Sequence, residues 1–504
     1  MNAYLSIIII LQIFHISLLS DNLVFLYTHY RHGARGPTKL NDNYLDNVGE
    51  KWTELGELTG IGERMHYLLG LRNRKKYIEE KRFLSEKFDP HEMLIYSTDV
   101  NRTLISCASQ MQGWYPQRAN MGEILTPKQE NNAYPPILEG KNPGDEYIEI
   151  AKNELHSSAL PYRMILTPIR MISKSEKLMN LHDIGTCKEK MEKLKEYNAL
   201  NNPIFKNYTD KFNHDYGKQL NKYYKEANDT FYYKKLKNIC SDFICDYTDN
   251  RALTEFKTKT GINLDEFNEA CLEHYEMYYK YVYHGDEEKV FAHVESSKLL
   301  REVLYYMKRR IDANMTEEDE DANYANYSIP RMLMISGHDT SVSADYMLLL
   351  KALGMNETEK FKFPKFASQL ALEVTTELPK GKSYSDYNIT GYFDNNVIFN
   401  IKVDEFIKKV EKEIWSNEKV DEYCGFISHD EEKSDEKTDE KKEESDTNYK
   451  ILIIIFASLA AILLAIIIVL IVKLSKSNKI IHPGSEILNS NNENIDDNGI
   501  NNLE

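Results

Sequence analysis

Cysteine is scarce in this sequence, with only six among 504 residues, and no two of them form a C-x-x-C pair. A disulfide-dense mini-domain needs a much higher cysteine density, so that class of protein is excluded. Structural zinc sites usually take their ligands from C-x-x-C pairs, so a structural zinc is not expected.

The sequence also lacks an excess of positive charge, because 63 Lys and Arg stand against 79 Asp and Glu, for a net charge of −16. This balance argues against electrostatically driven binding of nucleic acid. An anionic substrate would require a local basic pocket. The composition, 42% hydrophobic and 28% charged, excludes wholesale disorder, collagen-like repeats and a multi-span membrane protein.

Two apolar segments indicate the compartment. Residues 1–20 are nearly charge-free and predict a secretory signal peptide, although their start has no Lys or Arg, so an uncleaved signal anchor is the alternative. Residues 451–472 are 22 consecutive residues without charge, Pro or Gly, which predicts a transmembrane helix. Lysines follow this segment and acidic residues precede it, so the positive-inside rule predicts a type I membrane protein with a cytoplasmic tail at 473–504.

Between these two segments we expect a luminal or extracellular body at 21–429 and a solvated stalk at 430–450, where ten acidic and five basic residues occur in 21. Glycosylation sequons lie in the body, and Asn101 is expected to be unmodified because Arg102 follows it. The candidate glycosylation sites are Asn207, Asn228, Asn314, Asn326, Asn356 and Asn388.

Three short apolar runs in the body each stop at a cluster of charged residues. The run from residue 22 leads into Arg31 to Pro37 (Arg-His-Gly-Ala-Arg-Gly-Pro), the run from residue 92 leads to Arg102, and the run from residue 331 leads into Gly337 to Thr340 (Gly-His-Asp-Thr). Short buried runs separated by helical segments are typical of strands in a parallel α/β sheet. The carboxyl ends of such strands meet at one edge, so the sequence predicts an anion pocket there.

The residues of this pocket suit phosphoryl chemistry. Arg31, Arg35 and Arg102 offer guanidinium forks for phosphoryl oxygens. His32 lies among these cations, which disfavour imidazolium, so we expect a neutral nucleophile. Asp339 is placed to protonate a leaving alkoxide, and we interpret Gly33 as giving phosphate room to approach. No carboxylate cluster suited to Mg²⁺ accompanies these residues, so neither a metal nor another cofactor is expected.

These motifs, in this order, resemble those of the histidine acid phosphatase family, branch 2 of the histidine phosphatase superfamily. Gly56 to Arg64 and Phe363 to Ser368 are also similar to family segments, and the resemblance covers roughly residues 22 to 425. It implies that His32 becomes phosphorylated, that Asp339 is the proton donor, and that the substrate is a small phosphate monoester. The phosphate-binding residues that it implies are Arg31, Arg35, Arg102 and His338.

The resemblance also implies the fold, a Rossmann-like α/β core similar to phosphoglycerate mutase with a mainly helical cap at about residues 140–290. It implies a disulfide between Cys187 and Cys424 that ties the cap to the C-terminal segment. Signal, body, single span and tail together resemble the precursors of lysosomal acid phosphatases. We therefore expect a lysosome or another acidic vesicle, or else the cell surface, and a homodimer stays open.

Three other functions were weighed against an acid phosphatase. Phytases share the same motifs, but phytate favours a markedly basic cap, and this cap mixes Lys with Glu and Asp. Inositol polyphosphate phosphatases carry His-Ala-Glu where this chain has His338 and Asp339. A phosphate-ligand receptor or pseudoenzyme would usually have lost the nucleophile or the acid, and both are present.

Other histidines and cysteines favour structural roles. His29 lies on the first strand, which favours a packed, hydrogen-bonded side chain over a catalytic one. The His-Asp pairs at His182, His214 and His429 follow no buried strand, so they are interpreted as surface pairs. Cys107 is expected to be buried and free.

Overall fold

The computed structural model describes residues 22–39, 52, 54–117, 122–131, 133, 149–225, 227–251, 253–316, 329–378 and 381–426. By its internal contacts the chain divides into Met1–Ile427 and Ser428–Glu504, and every described residue belongs to the first unit. The predicted signal peptide, stalk, membrane span, tail and Asn326 lie outside the described residues. None of the helices that are described is long and apolar enough to span a membrane.

The fold is mixed α/β with a central sheet, which has seven strands in the described part of the chain. In sheet order β3-β2-β4-β1-β5-β6-β7 the first four strands run parallel and the last three are antiparallel. The strands are β1 Asn22–Arg31, β2 Met93–Thr98, β3 Arg170–Ile172, β4 Met332–Gly337, β5 Gln369–Thr376, β6 Asn388–Phe393 and β7 Asn396–Lys402.

The predicted runs at residues 22, 92 and 331 become β1, β2 and β4, and they are parallel as predicted. β1 is paired on both sides, with β4 from Leu26 opposite Met332 to Arg31 opposite Gly337, and with β5 on the other edge. A strand with two neighbours and helices on both faces has no solvated face, which explains its unbroken apolar sequence.

Helices surround the sheet and connect its strands. The α-helices are α1 Gly60–Arg74, α2 Asn101–Trp114, α3 Pro127–Asn131, α4 Gly185–Asn201, α5 Pro203–Phe212, α6 Lys218–Tyr224, α7 Tyr233–Thr248, α8 Thr254–Thr260, α9 Leu264–Tyr278, α10 Val290–Thr316, α11 Asp339–Ala352, α12 Glu357–Lys360, α13 Val403–Glu413 and α14 Asn417–Cys424. Wider π-helical turns extend several of these helices or stand alone, at Lys75–Glu80, Ala151–Leu155, Asn213–Gly217 and Tyr279–Tyr283.

Residues 185–283, which we call the helical insertion, form a bundle with an aromatic core. Phe243 and Phe267 pack edge to face with ring centroids 4.7 Å apart, and Tyr279 stacks on Tyr283 at 4.6 Å. Aromatic side chains of the insertion therefore pack against one another inside a helix bundle. The predicted cap range of 140–290 also contains β3, which belongs to the sheet.

The disulfide that the resemblance implies, between Cys187 of α4 and Cys424 of α14, is present. It joins the helical insertion to the end of the described chain across a sequence separation of 237 residues. Cys107 is buried and free, in agreement with the sequence analysis.

The candidate glycosylation sites differ in exposure. Asn207, Asn228 and Asn356 are exposed, whereas Asn314 and Asn388 are partly buried. Asn314 Oδ1 also accepts a 2.7 Å hydrogen bond from Tyr387 Oη, which leaves the amide nitrogen as the atom for a glycan.

Helices α1 and α2 pack through two glycines. A Cβ atom on Gly70 would lie 2.0 Å from the carbonyl oxygen of Gln110, and one on Gly113 would lie 2.1 Å from that of Tyr67. Backbone contact this close is possible only without a side chain. It holds α2, which begins just before Arg102, firmly against α1.

We expect Gly70→Ala to lower the free energy of unfolding by about 2 kcal/mol, because the new methyl group must push α1 and α2 apart. Urea unfolding of the full chain measures the change. Gly60→Ala is the matched control, since a Cβ at this first residue of α1 meets nothing within 4 Å. Equal stability of the two variants would contradict the packing argument.

Candidate active site

The carboxyl ends of β1, β2 and β4 bring all six sequence-predicted site residues to one edge of the sheet. His32 follows β1, and its backbone N–H donates to Gly337 O of β4 at 3.0 Å. Its carbonyl oxygen accepts from Ala367 N at 3.1 Å. Arg102 lies in the first turn of α2, the helix that follows β2. His338 precedes α11, the helix that follows β4, and Asp339 is the first residue of that helix. The predicted edge of the sheet is therefore where the charged residues meet.

His32 is 2% exposed, and its hydrogen bonding fixes which ring nitrogen carries a proton. Nδ1 lies 2.8 Å from the carbonyl oxygen of Gly33. A carbonyl only accepts, so Nδ1 holds the hydrogen and Nε2 of the neutral ring keeps a free lone pair. Burial, and then the charges of Arg31 and Arg102, lower the pKa of His32 well below its usual 6.5. The ring is thus neutral even in mildly acidic solution.

The packing of α1 also requires glycine at position 33. A Cβ atom there would lie 2.4 Å from the backbone oxygen of Gly62 in α1. The glycine therefore makes room for α1 to approach the loop after β1, and the interpretation that it also gives phosphate room stays a prediction.

Arg31 forms a salt bridge with Asp339, with 2.9 Å between Nη2 and Oδ2. Its Nη1 donates to Pro364 O at 3.0 Å, and its guanidinium carbon lies 4.4 Å from the centre of the Phe366 ring. Burial alone would raise the pKa of Asp339, but the charges of Arg31 and Arg35 outweigh burial and hold that pKa well below its usual range. Without substrate, Asp339 is therefore a carboxylate.

The other two arginines bind backbone carbonyls. Arg35 Nη1 donates to Gly36 O at 2.8 Å, and Arg102 Nη1 lies 3.4 Å from Gly56 O. Burial, followed by the charge of Arg35, lowers the pKa of Arg102 to about 10, which leaves it charged at neutral pH.

Each of the three guanidiniums retains a buried Nε–H without a hydrogen-bond partner in the described part of the chain. Buried donors of this strength are normally satisfied, so the site is electrostatically prepared for an oxyanion.

His338 is oriented by its neighbours from β2 and α2. Its Nε2 lies 3.0 Å from Thr98 Oγ1, and its Nδ1 lies 3.4 Å from Arg102 Nη2. Burial and then the charge of Arg102 lower the pKa of His338 well below 6.5. Because the guanidinium can only donate, Nδ1 accepts, and Nε2 of the neutral ring carries the hydrogen that it donates to Thr98 Oγ1.

A cavity of about 240 Å³ opens beside Arg31 and Arg35. Most of its lining is apolar or aromatic and comes from α7, α9 and the segment before β5. Lys365 is the other cationic side chain among its described lining residues, and Cys245 accepts a weak 3.5 Å hydrogen bond from Arg35 Nη1. The remaining lining residues are Met65, Ser241, Ile244, Thr248, Asn268, Leu272, Tyr275, Phe363 and Phe366.

The sequence analysis misses one contact near the site, which involves His182. His182 is not a surface residue, because its side chain is only 11% exposed and its Nδ1 lies 2.9 Å from Glu295 Oε1. Burial lowers the pKa of His182, but the Glu295 carboxylate more than offsets this and raises it, and His182 is also among the groups that lower the pKa of His338. Its partner is 113 residues away in sequence. His214 is exposed beside Asp215, as predicted, and His429 lies outside the described residues.

Metal binding is not indicated in the part of the chain that the structure describes. It contains no group of three or more His, Cys, Asp or Glu side chains arranged to hold an ion. The positive charge at this site comes from guanidinium groups.

The sheet, the paired arginines and the buried histidine define a phosphoryl-binding α/β protein. The chain belongs to the histidine phosphatase superfamily (branch 2), whose sequence model matches residues 23–387. It is 38% identical over 100 residues to the lysosomal acid phosphatase of Xenopus laevis, covering 19% of this chain and 22% of that protein. It is 35% identical over 102 residues to the prostatic acid phosphatase of Homo sapiens, covering 20% and 25%.

The chain thus matches only about a quarter of the length of these curated relatives or less. Solved structures support the fold over a longer stretch. The phytase from Citrobacter braakii superposes with a TM-score of 0.50 at 12% identity, covering 80% of this chain and 99% of that one. The phytase of Hafnia alvei in complex with myo-inositol hexakis sulphate gives a TM-score of 0.51 at 12% identity, covering 80% and 98%. Identity this low is evidence for the fold alone.

We expect NMR of histidine-labelled protein to show a neutral His32 ring, protonated on Nδ1, from pH 5 to 8. The lowered pKa has this consequence, because a group stays deprotonated above its pKa. The solvent-exposed ring of His214 provides the reference signals in the same spectra. A His32 ring that gained a proton above pH 5 would contradict the electrostatic argument.

Proposed function

We propose that this protein is an acid phosphatase that hydrolyses phosphate monoesters through a phosphohistidine on His32. The observation that carries the proposal is the free Nε2 lone pair of a buried, neutral His32 beside three guanidiniums with unsatisfied Nε–H groups. Attack on a phosphate dianion requires an uncharged nucleophile and cations that already surround the phosphate.

In the proposed first step, the ester phosphate binds to Arg31, Arg35, Arg102 and His338. Nε2 of His32 attacks phosphorus, the bond to the ester oxygen breaks, and that oxygen takes a proton from Asp339. In the second step, water attacks the phosphohistidine and gives a proton to the Asp339 carboxylate. Orthophosphate leaves and His32 is regenerated.

Asp339 must be protonated to act as the donor, although the substrate-free site holds it as a carboxylate. A bound phosphate dianion competes for Arg31 and adds negative charge beside Asp339, and both effects raise the pKa of Asp339. Protonation becomes easier as the pH falls, so the proposed mechanism favours an acidic optimum.

We further propose the finer architecture that the sequence suggests. The helical insertion would serve as the cap of a phosphoglycerate mutase-like core, and residues 451–472 would anchor a type I membrane protein. The names of the relatives, lysosomal and prostatic acid phosphatase, support a lysosomal or secreted setting. An acidic vesicle fits the expected pH optimum.

We expect the full chain in detergent to hydrolyse p-nitrophenyl phosphate with an optimum below pH 6 and to remain active in EDTA. His32→Ala should lower kcat by at least a factor of about 10³, because the covalent route is lost. His214→Ala is the control, since this histidine is exposed and should leave the rate unchanged. Full activity of the His32 variant, or an alkaline optimum, would sink the mechanism.

A phytase is the second candidate, because the phytase fold superposes on this one. The cavity argues against it. Phytate carries several phosphates, each of which needs cationic partners, whereas the cavity beside Arg31 and Arg35 is lined mainly by apolar groups and one lysine among its described residues. A leaving group that is uncharged and apolar or aromatic fits these walls better.

We expect kcat/KM for p-nitrophenyl phosphate to exceed that for phytate at least tenfold. Leu272→Lys, which adds a cation to the cavity wall, should raise relative activity on phytate by about fivefold. Leu200→Lys, at an exposed cap position that does not line the cavity, controls for added charge. Preference for phytate in the unmodified protein would favour the second candidate. Phosphate binding without hydrolysis of either ester would instead favour a receptor.

A further inference from the structure

A buried polar cluster lies directly behind the site and has no part in the proposed chemistry. It consists of Tyr27 and His29 on β1 and Ser341 and Asp345 on α11, each at most 1% exposed. His29 Nδ1 lies 2.7 Å from Asp345 Oδ2, and Tyr27 Oη donates to the same oxygen at 2.6 Å. Nothing in the sequence motif requires these residues at these positions.

The cluster is joined to the site through Ser341. His29 Nε2 lies 3.1 Å from Ser341 Oγ, which accepts from the backbone N–H of His338 at 3.1 Å and donates to the carbonyl oxygen of His338 at 3.1 Å. His29 Nδ1 donates to the Asp345 carboxylate, and Nε2 on the other side of the same ring shares a hydrogen bond with the Ser341 hydroxyl. The imidazole thus links Asp345 to the residue that holds the His338 backbone.

The buried contact between His29 and Asp345 is not expected to add much to the stability of the fold. Taking the Asp345 carboxylate out of water is unfavourable, and an apolar pair of similar size is often at least as stable. Asp345 Oδ1 has no hydrogen-bond partner in the described part of the chain, so the carboxylate is not even fully satisfied. The arrangement therefore calls for an explanation other than packing.

Gly337 makes the contact possible. A Cβ atom on this residue would lie 2.6 Å from His29 Nε2 and 2.6 Å from Ser341 Oγ. The residue that precedes His338 thus has no side chain because the histidine and the hydroxyl occupy that space.

We propose that His29, held by Asp345, is a positioning residue that fixes His338 and Asp339 through Ser341. Ser341 holds both the N–H and the C=O of His338, and the peptide that follows carries Asp339 at the start of α11. Orientation of this one peptide sets where the His338 ring and the Asp339 carboxyl meet the phosphoryl group. This proposal rests on the proposed phosphatase function.

The first test is the triple variant Tyr27→Phe, His29→Leu, Asp345→Leu, which replaces the cluster by apolar groups and leaves no orphaned buried charge. We expect its melting temperature to be unchanged or higher, its kcat on p-nitrophenyl phosphate to fall about tenfold, and its KM to stay within about twofold. A merely structural role would move the melting temperature and leave kcat of the folded fraction unchanged.

The second test is a double-mutant cycle with Ser341→Ala, and this single variant by itself tests the link if the triple variant does not fold. Ser341→Ala alone should lower kcat about tenfold, and it should have little further effect in the triple variant, because the link is already broken. Additive losses in kcat would overturn the proposal. Thr28→Val is the matched control, since Thr28 is equally buried on β1, its hydroxyl has no partner among the described residues, and its kcat should be unchanged.

Calorimetric binding of orthovanadate, which mimics five-coordinate phosphorus, separates failure of this proposal from failure of the proposed function. We expect the triple variant to bind vanadate about tenfold more weakly while its affinity for inorganic phosphate changes less than about twofold. If the unmodified protein hydrolyses no ester, the proposed function fails and vanadate still tests the positioning. Equal vanadate affinity in the folded triple variant overturns the positioning role.

Discussion

The salt bridge between Arg31 and Asp339 is the interaction on which the rest of the site depends. Three guanidiniums gather at one edge of the sheet, and Asp339 is the carboxylate that contacts one of them directly. Removing charges from water is unfavourable unless they are paired. The Asp339 carboxylate therefore offsets part of the cost of gathering three guanidiniums at this edge of the sheet. Burial, and then the charges of the same cations, lower the pKa of His32, which keeps the ring neutral. The proposed affinity for phosphate and the proposed reactivity of His32 thus depend on the same guanidiniums.

The sequence predicts this part of the molecule well because it is governed by local pattern. Short apolar runs that stop at charged residues predict β1, β2 and β4, and parallel strands necessarily bring their carboxyl ends to one edge. His32, Arg102 and His338 come together for this reason alone. The three antiparallel strands, β5 to β7, were not predicted, since their position depends on pairing with a strand more than 300 residues earlier.

What the sequence could not disclose are contacts between residues distant along the chain. The motif that contains Gly33 gives no sign of its close approach to Gly62 of α1. The sequence places His182 at the surface because Asp183 follows it, yet its Nδ1 lies 2.9 Å from Glu295 of α10, which raises its pKa. In each case the partner that decides the role follows from tertiary packing, which no local spacing encodes.

The cavity shows why specificity and stability are linked in this fold. Tyr275 and Phe363 line the cavity, and their rings lie 5.0 Å apart, so they also bridge the helical insertion to the segment before β5. Arg31 in turn lies 5.3 Å from the centre of the Phe363 ring. A change that enlarges or charges this wall therefore disturbs both the packing of the insertion and the surroundings of Arg31. Residues such as Leu272, which is partly exposed on the same wall, are freer to vary, and differences in leaving-group preference should arise there first.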